Sequence, residues 1–182
     1  MEQIKFTQEK KTLSMVCRVE INIQARAEEI WTLLTDAKGF PGWNSTVSAI
    51  DGNIREGERI RIHVPGTSRI FKPKVSDVVD NRSMTWSDGL SFLFKGSRRF
   101  ELRPCDDGST DFIMEEHFRG LIFALVKNSL PEFRPIFETY ARDLKRASER
   151  VAALARRLQQ EDTRRIINQS ILSEFASALA SN

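Results

Sequence analysis

Among the side chains able to do chemistry, the most suggestive is Glu116, in the segment FIMEEHF from Phe112 to Phe118. Read as a β-strand, the segment puts Phe112, Met114, Glu116 and Phe118 on one face and Ile113, Glu115 and His117 on the other. A carboxylate among large apolar groups is an acid or base, a polar handle for a ligand, or half of an ion pair. The preceding residues order these readings. Asp106-Asp107-Gly108 has the form of a three-residue hairpin turn ending on a glycine in the left-handed region. That turn pairs Cys105 with Ser109 and sets Leu102 opposite Phe112, Phe100 opposite Met114 and Arg98 opposite Glu116. On the other face Arg103 meets Asp111 and Arg99 meets Glu115, so the register is complementary in charge as well as in hydropathy. Arg98 makes a structural ion pair the first reading of Glu116, a polar group in a pocket the second, and catalysis the third.

The other reactive types form no constellation. His63 alternates with Ile62 and Val64, and His117 with Glu116, so both histidines point away from the inferred core. No His/Asp/Glu cluster has metal-ligand spacing, and no metal or other cofactor is expected. There is no GxSxG motif, no inward histidine to activate a serine, and no glycine-rich phosphate loop, because DGNIREGE and GTS read as hairpin turns. Cys17 and Cys105 show neither CxxC spacing nor a disulfide framework. No residue is assigned a catalytic role.

With 40% hydrophobic and 29% charged residues in 182, the composition is that of a one-domain globular protein. The formal charge of +3 is small beside 28 basic and 25 acidic groups, and much of it is local. Arg142 to Arg165 holds eight basic residues against four acidic ones, which reads as a solvated helix face rather than an anionic-membrane or nucleic-acid footprint. Nucleic-acid binding would need those basic groups interleaved with aromatics, which instead lie inward, so no nucleic-acid partner is expected. The longest apolar run, LIFALV, is far short of the roughly 20 residues that cross a bilayer, and no stable membrane insertion is expected. The charged start MEQIKFTQEKKTL lacks a secretory signal pattern, which points to the cytoplasm.

Residues 1-13 read as a polar N-terminal arm. MVCRVEINIQ then alternates as a half-buried strand, and Ala27, Ile30, Trp31 and Leu34 recur at helical spacing until Gly39, Pro41 and Gly42 stop them. A meander follows: Val47 to Ile54, RIRIHV, Arg69 to Val79 with Phe71, Val75 and Val79 in phase, SMTWS, GSRRFELRPC and TDFIMEEHFRG. Six or seven antiparallel strands are expected. After Gly120, Pro131 and Pro135 suit a first helical turn. Phe133, Phe137, Tyr140, Leu144, Ala147, Val151 and Leu154 predict a helix of about 25 residues with one apolar stripe. Such a helix buries its stripe on the concave face of a curved sheet, which is α+β architecture. Residues 159-182, with Ile167, Ile171 and Phe175 at helical spacing, form a C-terminal extension read as a weak helix that docks on the domain, pairs two copies as a homodimer, or frays.

EEIWTLLTDAKGFPGWN, VSAIDGNIREGERIRIHV with Gly57 in its turn, and FKPKVSDVVDNRSMTWS occur in an order and spacing that resemble the SRPBCC superfamily. This group has the START-like or helix-grip fold and includes polyketide cyclase/dehydrase and lipid-transport proteins. The resemblance covers about Ser14 to Leu154 and places a START-like domain at 14-158. It implies a curved sheet gripping a long C-terminal helix, short helices after the first strand, and a cavity between sheet and helix that takes a small hydrophobic ligand. By strand phase and helical stripe, Ile62, Phe71, Met84, Trp86, Phe100, Met114, Phe133, Phe137 and Tyr140 line that cavity. Glu116, Arg98 and Tyr140 orient the ligand, and Trp43 borders the mouth. The leading expectation is a noncatalytic binder or carrier of a lipid-like, aromatic or polyketide-like molecule. The alternatives are a cyclase or dehydratase using Tyr140 or Glu116, and an interaction protein with a filled core.

Overall fold

The computed structural model describes residues 3–90, 93–126 and 132–180. Strands β1 (Lys5–Lys10) and β2 (Ser14–Ile23) lead into helix α1 (Ala27–Thr35) and a 3₁₀ turn (Phe40–Gly42). Three short strands follow, β3 (Ala49–Asp51), β4 (Arg61–His63) and β5 (Ile70–Phe71). The longer β6 (Lys74–Val79), β7 (Ser83–Leu90), β8 (Phe94–Pro104) and β9 (Thr110–Arg119) precede helices α2 (Leu121–Val126) and α3 (Phe133–Ala180). The large antiparallel sheet runs β1-β2-β9-β8-β7-β6, and β3-β4-β5 form a second, smaller sheet.

The β8–β9 hairpin has the register that its turn dictates. Gly108 sits at φ +80°, Cys105 N–H donates to the Ser109 carbonyl at 2.9 Å, and Arg98 pairs with Glu116, Phe100 with Met114 and Leu102 with Phe112. Because β2 is antiparallel to β9 on its other side, side chains of like register form rows across the face turned toward α3. One row is Cys17, Glu116, Arg98 and Trp86; the next is Val19, Met114, Phe100 and Met84.

α1 forms as its spacing predicts, with Ala27, Ile30, Trp31 and Leu34 all buried. The Glu29 carboxylate accepts the Arg26 backbone N–H at 2.8 Å, which satisfies a donor that the first helical turn leaves over. Several other elements differ from the pattern reading. The N-terminal arm contains the edge strand β1, and its Phe6 ring meets Phe137 of α3 edge-on at 5.9 Å. Arg69 to Val79 is two strands, because Pro73 has no N–H for a ladder and Asp77 takes φ 55° where the register shifts. The phase therefore fails: Val75 is buried, but Val79 and Phe71 are 52% and 38% exposed.

α3 runs to Ala180, continuous through the expected extension at 159. Its buried line passes through Phe137, Tyr140, Ala141, Leu144, Ser148 and Ala152, whereas Val151 and Leu154, expected on the stripe, are exposed. From Leu154 to Gln169 the helix stands clear of the domain with no buried side chain. The expected start at Pro131 lies outside the described residues, as do the side chains of Ile171 and Phe175.

Candidate functional site

Tyr140, on the buried face of α3, sits at the centre of an aromatic cluster. Its ring lies 6.2 Å from Phe112 and 6.0 Å from Phe100 on the sheet. It lies 6.3 Å from Phe40 and 5.8 Å from Trp43, which the α1–β3 connection supplies. Trp86 completes the group at 4.8 Å from Phe100 and 6.1 Å from Phe40. Gly39-Phe40-Pro41-Gly42-Trp43 can present two rings so closely because the 3₁₀ turn, with Pro41 in its first turn, folds the chain back at once.

Three hydrogen-bond donors in this cluster have no partner among the described residues: the indole N–H groups of Trp43 and Trp86 and the Tyr140 hydroxyl, all buried. An unsatisfied buried donor costs about 1–3 kcal/mol, and native proteins seldom leave several together. Burial pushes the Tyr140 phenol well above its ordinary range, with the Arg98 charge opposing only in part. Tyr140 therefore stays protonated, with its hydroxyl hydrogen free to be donated.

At one side of the cluster Arg98 Nε and Nη2 donate to the same Glu116 oxygen at 3.1 and 2.6 Å. Their side chains are only 24% and 14% exposed. Burial opposes the charge on Arg98, but Glu116 more than offsets it and raises the guanidinium above its usual value. The same guanidinium lies 5.6 Å from the Phe137 ring centre and 6.0 Å from that of Tyr140, so it is held by rings as well as by the carboxylate. Cys17, next in the row, is fully buried, and its thiol is pushed up to about 12, first by burial and then by Glu116. It is inert as a nucleophile at neutral pH.

The structure brings Trp86, Arg98, Phe100, Met114 and Glu116 onto one sheet face, and Phe133, Phe137 and Tyr140 onto the facing helix. Met84 is fully buried on the same sheet face. Ile62 is buried, but on the small sheet. Phe71, although it pairs with Ile62 across the strands, is turned to solvent, and Arg69 stacks over its ring at 5.0 Å. Both histidines lie on the outer side as expected. His63 is paired with Asp51 at 3.1 Å, and His117 with Glu115 at 2.6 Å. On that face the cross-strand charges regroup: Arg103 bonds Glu101 and Arg18 reaches Glu115, while Asn22 donates to Asp111. Among the described residues no group of three His, Cys, Asp or Glu could hold a metal ion. A surface concavity of about 400 Å³ lies elsewhere, on the outer face of the sheet around Lys95 and Arg119.

The sequence reading missed Asp143. It is 5% exposed on α3 and accepts both the backbone N–H and the hydroxyl of Ser45, at 2.9 and 2.6 Å, while Arg146 pairs with its other oxygen. This clamp fixes the loop that carries Trp43. Burial works against the charged carboxylate, but the Ser45 and Arg146 hydrogen bonds prevail and lower its pKa. An acidic residue inside a run of helical charges gives no signal of facing inward until the partner loop is placed.

A six-stranded antiparallel sheet closed over a long C-terminal helix, with Arg98, Glu116 and Tyr140 turned inward, defines an α+β helix-grip protein of the START-like kind. A family model for polyketide cyclase / dehydrase and lipid transport matches residues 15–159, and the chain belongs to that family. No curated protein sequence matches it. Among solved structures, it is similar to a conserved protein of unknown function from Enterococcus faecalis, with TM-score 0.59 and 16% identity over 80% of this chain and 77% of that one. It is also similar to a START superfamily protein from Mycobacterium smegmatis, with TM-score 0.56 and 18% identity over 75% and 98% of the two chains. A third, protein MLL2253 from Mesorhizobium loti, aligns with TM-score 0.59 and 18% identity over 74% and 97%. At these identities the likeness concerns the fold.

Proposed function

We propose that the protein binds a small, mainly apolar and aromatic-like molecule that carries oxygen acceptors, between α3 and the sheet. The observation that carries this reading is the set of three buried, unpartnered donors, from Trp43, Trp86 and Tyr140, around one aromatic cluster. Carbonyl or phenolic oxygens of a ligand would satisfy them, while the surrounding rings supply the apolar contact that gives most pocket affinity. Since rings occupy the space between helix and sheet, entry requires a wall to move. Trp43 is that wall: it is only half-buried and sits on the short loop held by Asp143.

The cyclase or dehydratase alternative needs a group that exchanges protons near neutrality. The raised Tyr140 phenol and the Glu116 carboxylate locked to Arg98 favour binding and carriage over catalysis. The free thiols of Cys17 and Cys105 suit the reducing cytoplasm, where we place the protein.

Titration with a hydroxyanthraquinone, followed by tryptophan fluorescence, tests the reading. Saturable quenching at one site per chain, weakened about tenfold by Tyr140→Phe, is expected from the loss of one hydrogen bond to a buried donor. Quenching that is unsaturable, or indifferent to both Tyr140→Phe and Trp86→Phe, would remove it.

A further inference from the structure

One end of the large sheet gathers exposed apolar side chains. Leu121, Ile122 and Leu125 of α2 are 61%, 41% and 82% exposed, and Leu13 and Leu90 are 49% and 60% exposed. These belong to one patch, because the backbone ties their segments together. Gly120 N–H donates to the Leu13 carbonyl at 3.1 Å, and Ile122 N–H donates to the Leu93 carbonyl at 2.9 Å. Leu93 N–H in turn donates to the Leu90 carbonyl at 3.1 Å. Gly120 is required there: at φ +129° a side chain would be strained, and a Cβ would fall 2.2 Å from the Leu93 carbonyl oxygen.

Directly beside this patch lies the concavity of about 400 Å³ on the sheet's outer face, lined by Lys11, Ser14, Lys95, Ser97, His117 and Arg119 among others. Patch and concavity are continuous through the chain itself, since Arg119 is followed by Gly120 and Leu121. Ser14 and Lys95 both stand opposite Arg119 in the ladders. The nearby acidic groups are Glu115, engaged by Arg18 and His117, Glu9 on β1, opposite Val16, and Asp88 on β7, opposite Gly96, which accepts the backbone N–H groups of Lys72 and Gly89. Among the described residues no ion pair engages Lys11, Lys95 or Arg119, so three cations face outward at the rim of an apolar surface.

We propose that this end of the molecule is a docking surface for an anionic lipid bilayer. Leu13, Leu90, Leu121, Ile122 and Leu125 enter the headgroup region, and Lys11, Lys95 and Arg119 meet lipid phosphates. An apolar tip alone would suit a protein partner equally well; the unpaired cations around it select an anionic, phosphate-bearing plane. The inference stands on the surface alone and is independent of the ligand reading.

Sedimentation with vesicles of phosphatidylcholine, with and without phosphatidylglycerol, tests it. The full chain should bind only the phosphatidylglycerol vesicles and release them at high salt. Lys95→Gln/Arg119→Gln should weaken binding about 25-fold, from about 1 kcal/mol per charge near an anionic surface. Leu121→Glu/Leu125→Glu should weaken it at least about tenfold. Arg156→Glu/Arg157→Glu on the free part of α3 should leave it unchanged. Should the double leucine variant fail to fold by circular dichroism, the single Leu125→Ser, at an 82% exposed position, reads the same effect. Absence of phosphatidylglycerol-dependent binding would overturn the proposal, as would loss through Arg156 and Arg157 instead of the tip. A Leu125 variant that breaks a dimer while still binding vesicles would assign the patch to a second copy and equally overturn it.

Discussion

Replacing Arg98 with leucine strands Glu116, a carboxylate 14% exposed that stands opposite Cys17 in the sheet. Two hydrogen bonds of 3.1 and 2.6 Å disappear. Unit charges about 4 Å apart at an effective dielectric near 20 attract by about 4 kcal/mol, and breaking one partner of a buried pair typically costs about 3–5 kcal/mol. A loss of about 3–4 kcal/mol at pH 8 is expected, a large share of the roughly 5–15 kcal/mol that holds a domain together. Its pH dependence identifies the cause. An isolated buried carboxylate binds its proton more tightly folded than unfolded, so the cost is greatest above its new titration point and fades as pH falls toward about 4.3, the value for an unfolded glutamate. Urea unfolding at pH 8 and pH 5 should therefore show a smaller deficit at pH 5, and Arg98→Leu/Glu116→Leu should recover most of it at both. A deficit below about 1 kcal/mol, or one equal at both pH values, would refute the assignment of Glu116 as half of a buried ion pair.

Three further outcomes follow from the same structure. Asp143→Asn should lose about 1.5–3 kcal/mol at pH 7, the worth of hydrogen bonds to a charged acceptor. Because the wild-type carboxylate has a lowered pKa, its contribution is present above the unfolded value of about 3.9 and is lost below it. The two unfolding curves should therefore converge as acid is added toward pH 2. Thiol labelling of the native protein at neutral pH should modify Cys105 alone, with Cys17 reacting only in denaturant, since its thiol is fully buried and titrates at about 12. Self-association through the free part of α3, where Leu154, Leu158, Ile166 and Ile167 are more than half exposed, predicts a dimer by light scattering. Leu158→Glu/Ile166→Glu should turn it into a monomer that keeps its folded circular-dichroism spectrum, with a melting temperature that no longer depends on protein concentration.

The sequence made the β8–β9 hairpin legible to the residue, because the turn chemistry of Asp106 to Gly108 and the alternation of two long strands specify the same register independently. From that register came the Arg98–Glu116 pair. α1 was legible for the similar reason that its four apolar positions and its Gly39 stop agree. The segment from Arg69 to Val79 was not, because alternation assumes an unbroken pleat, and Pro73 and the positive φ of Asp77 break it. That is also why Phe71, in phase on paper, faces water. On α3 the stripe was legible as far as Leu144; beyond it the buried line turns through the small residues Ser148 and Ala152, which carry little hydropathy signal. The partnership of Asp143 with Ser45, nearly a hundred residues apart and with neither residue in a motif, is set only by how the loop after α1 meets the helix. The unpartnered donors of Trp43, Trp86 and Tyr140 became visible only once the three side chains were placed around one centre.

The central claim is that these three donors meet a ligand. Mass spectrometry under native conditions, with identification of small molecules extracted from the purified protein, tests it most directly. One molecule per chain is expected, apolar with oxygen acceptors, retained by wild type and lost from Trp86→Phe/Tyr140→Phe. A wild-type protein that appears at its bare mass alone and yields nothing on extraction, and that remains unliganded after incubation with a hydroxyanthraquinone, would contradict it.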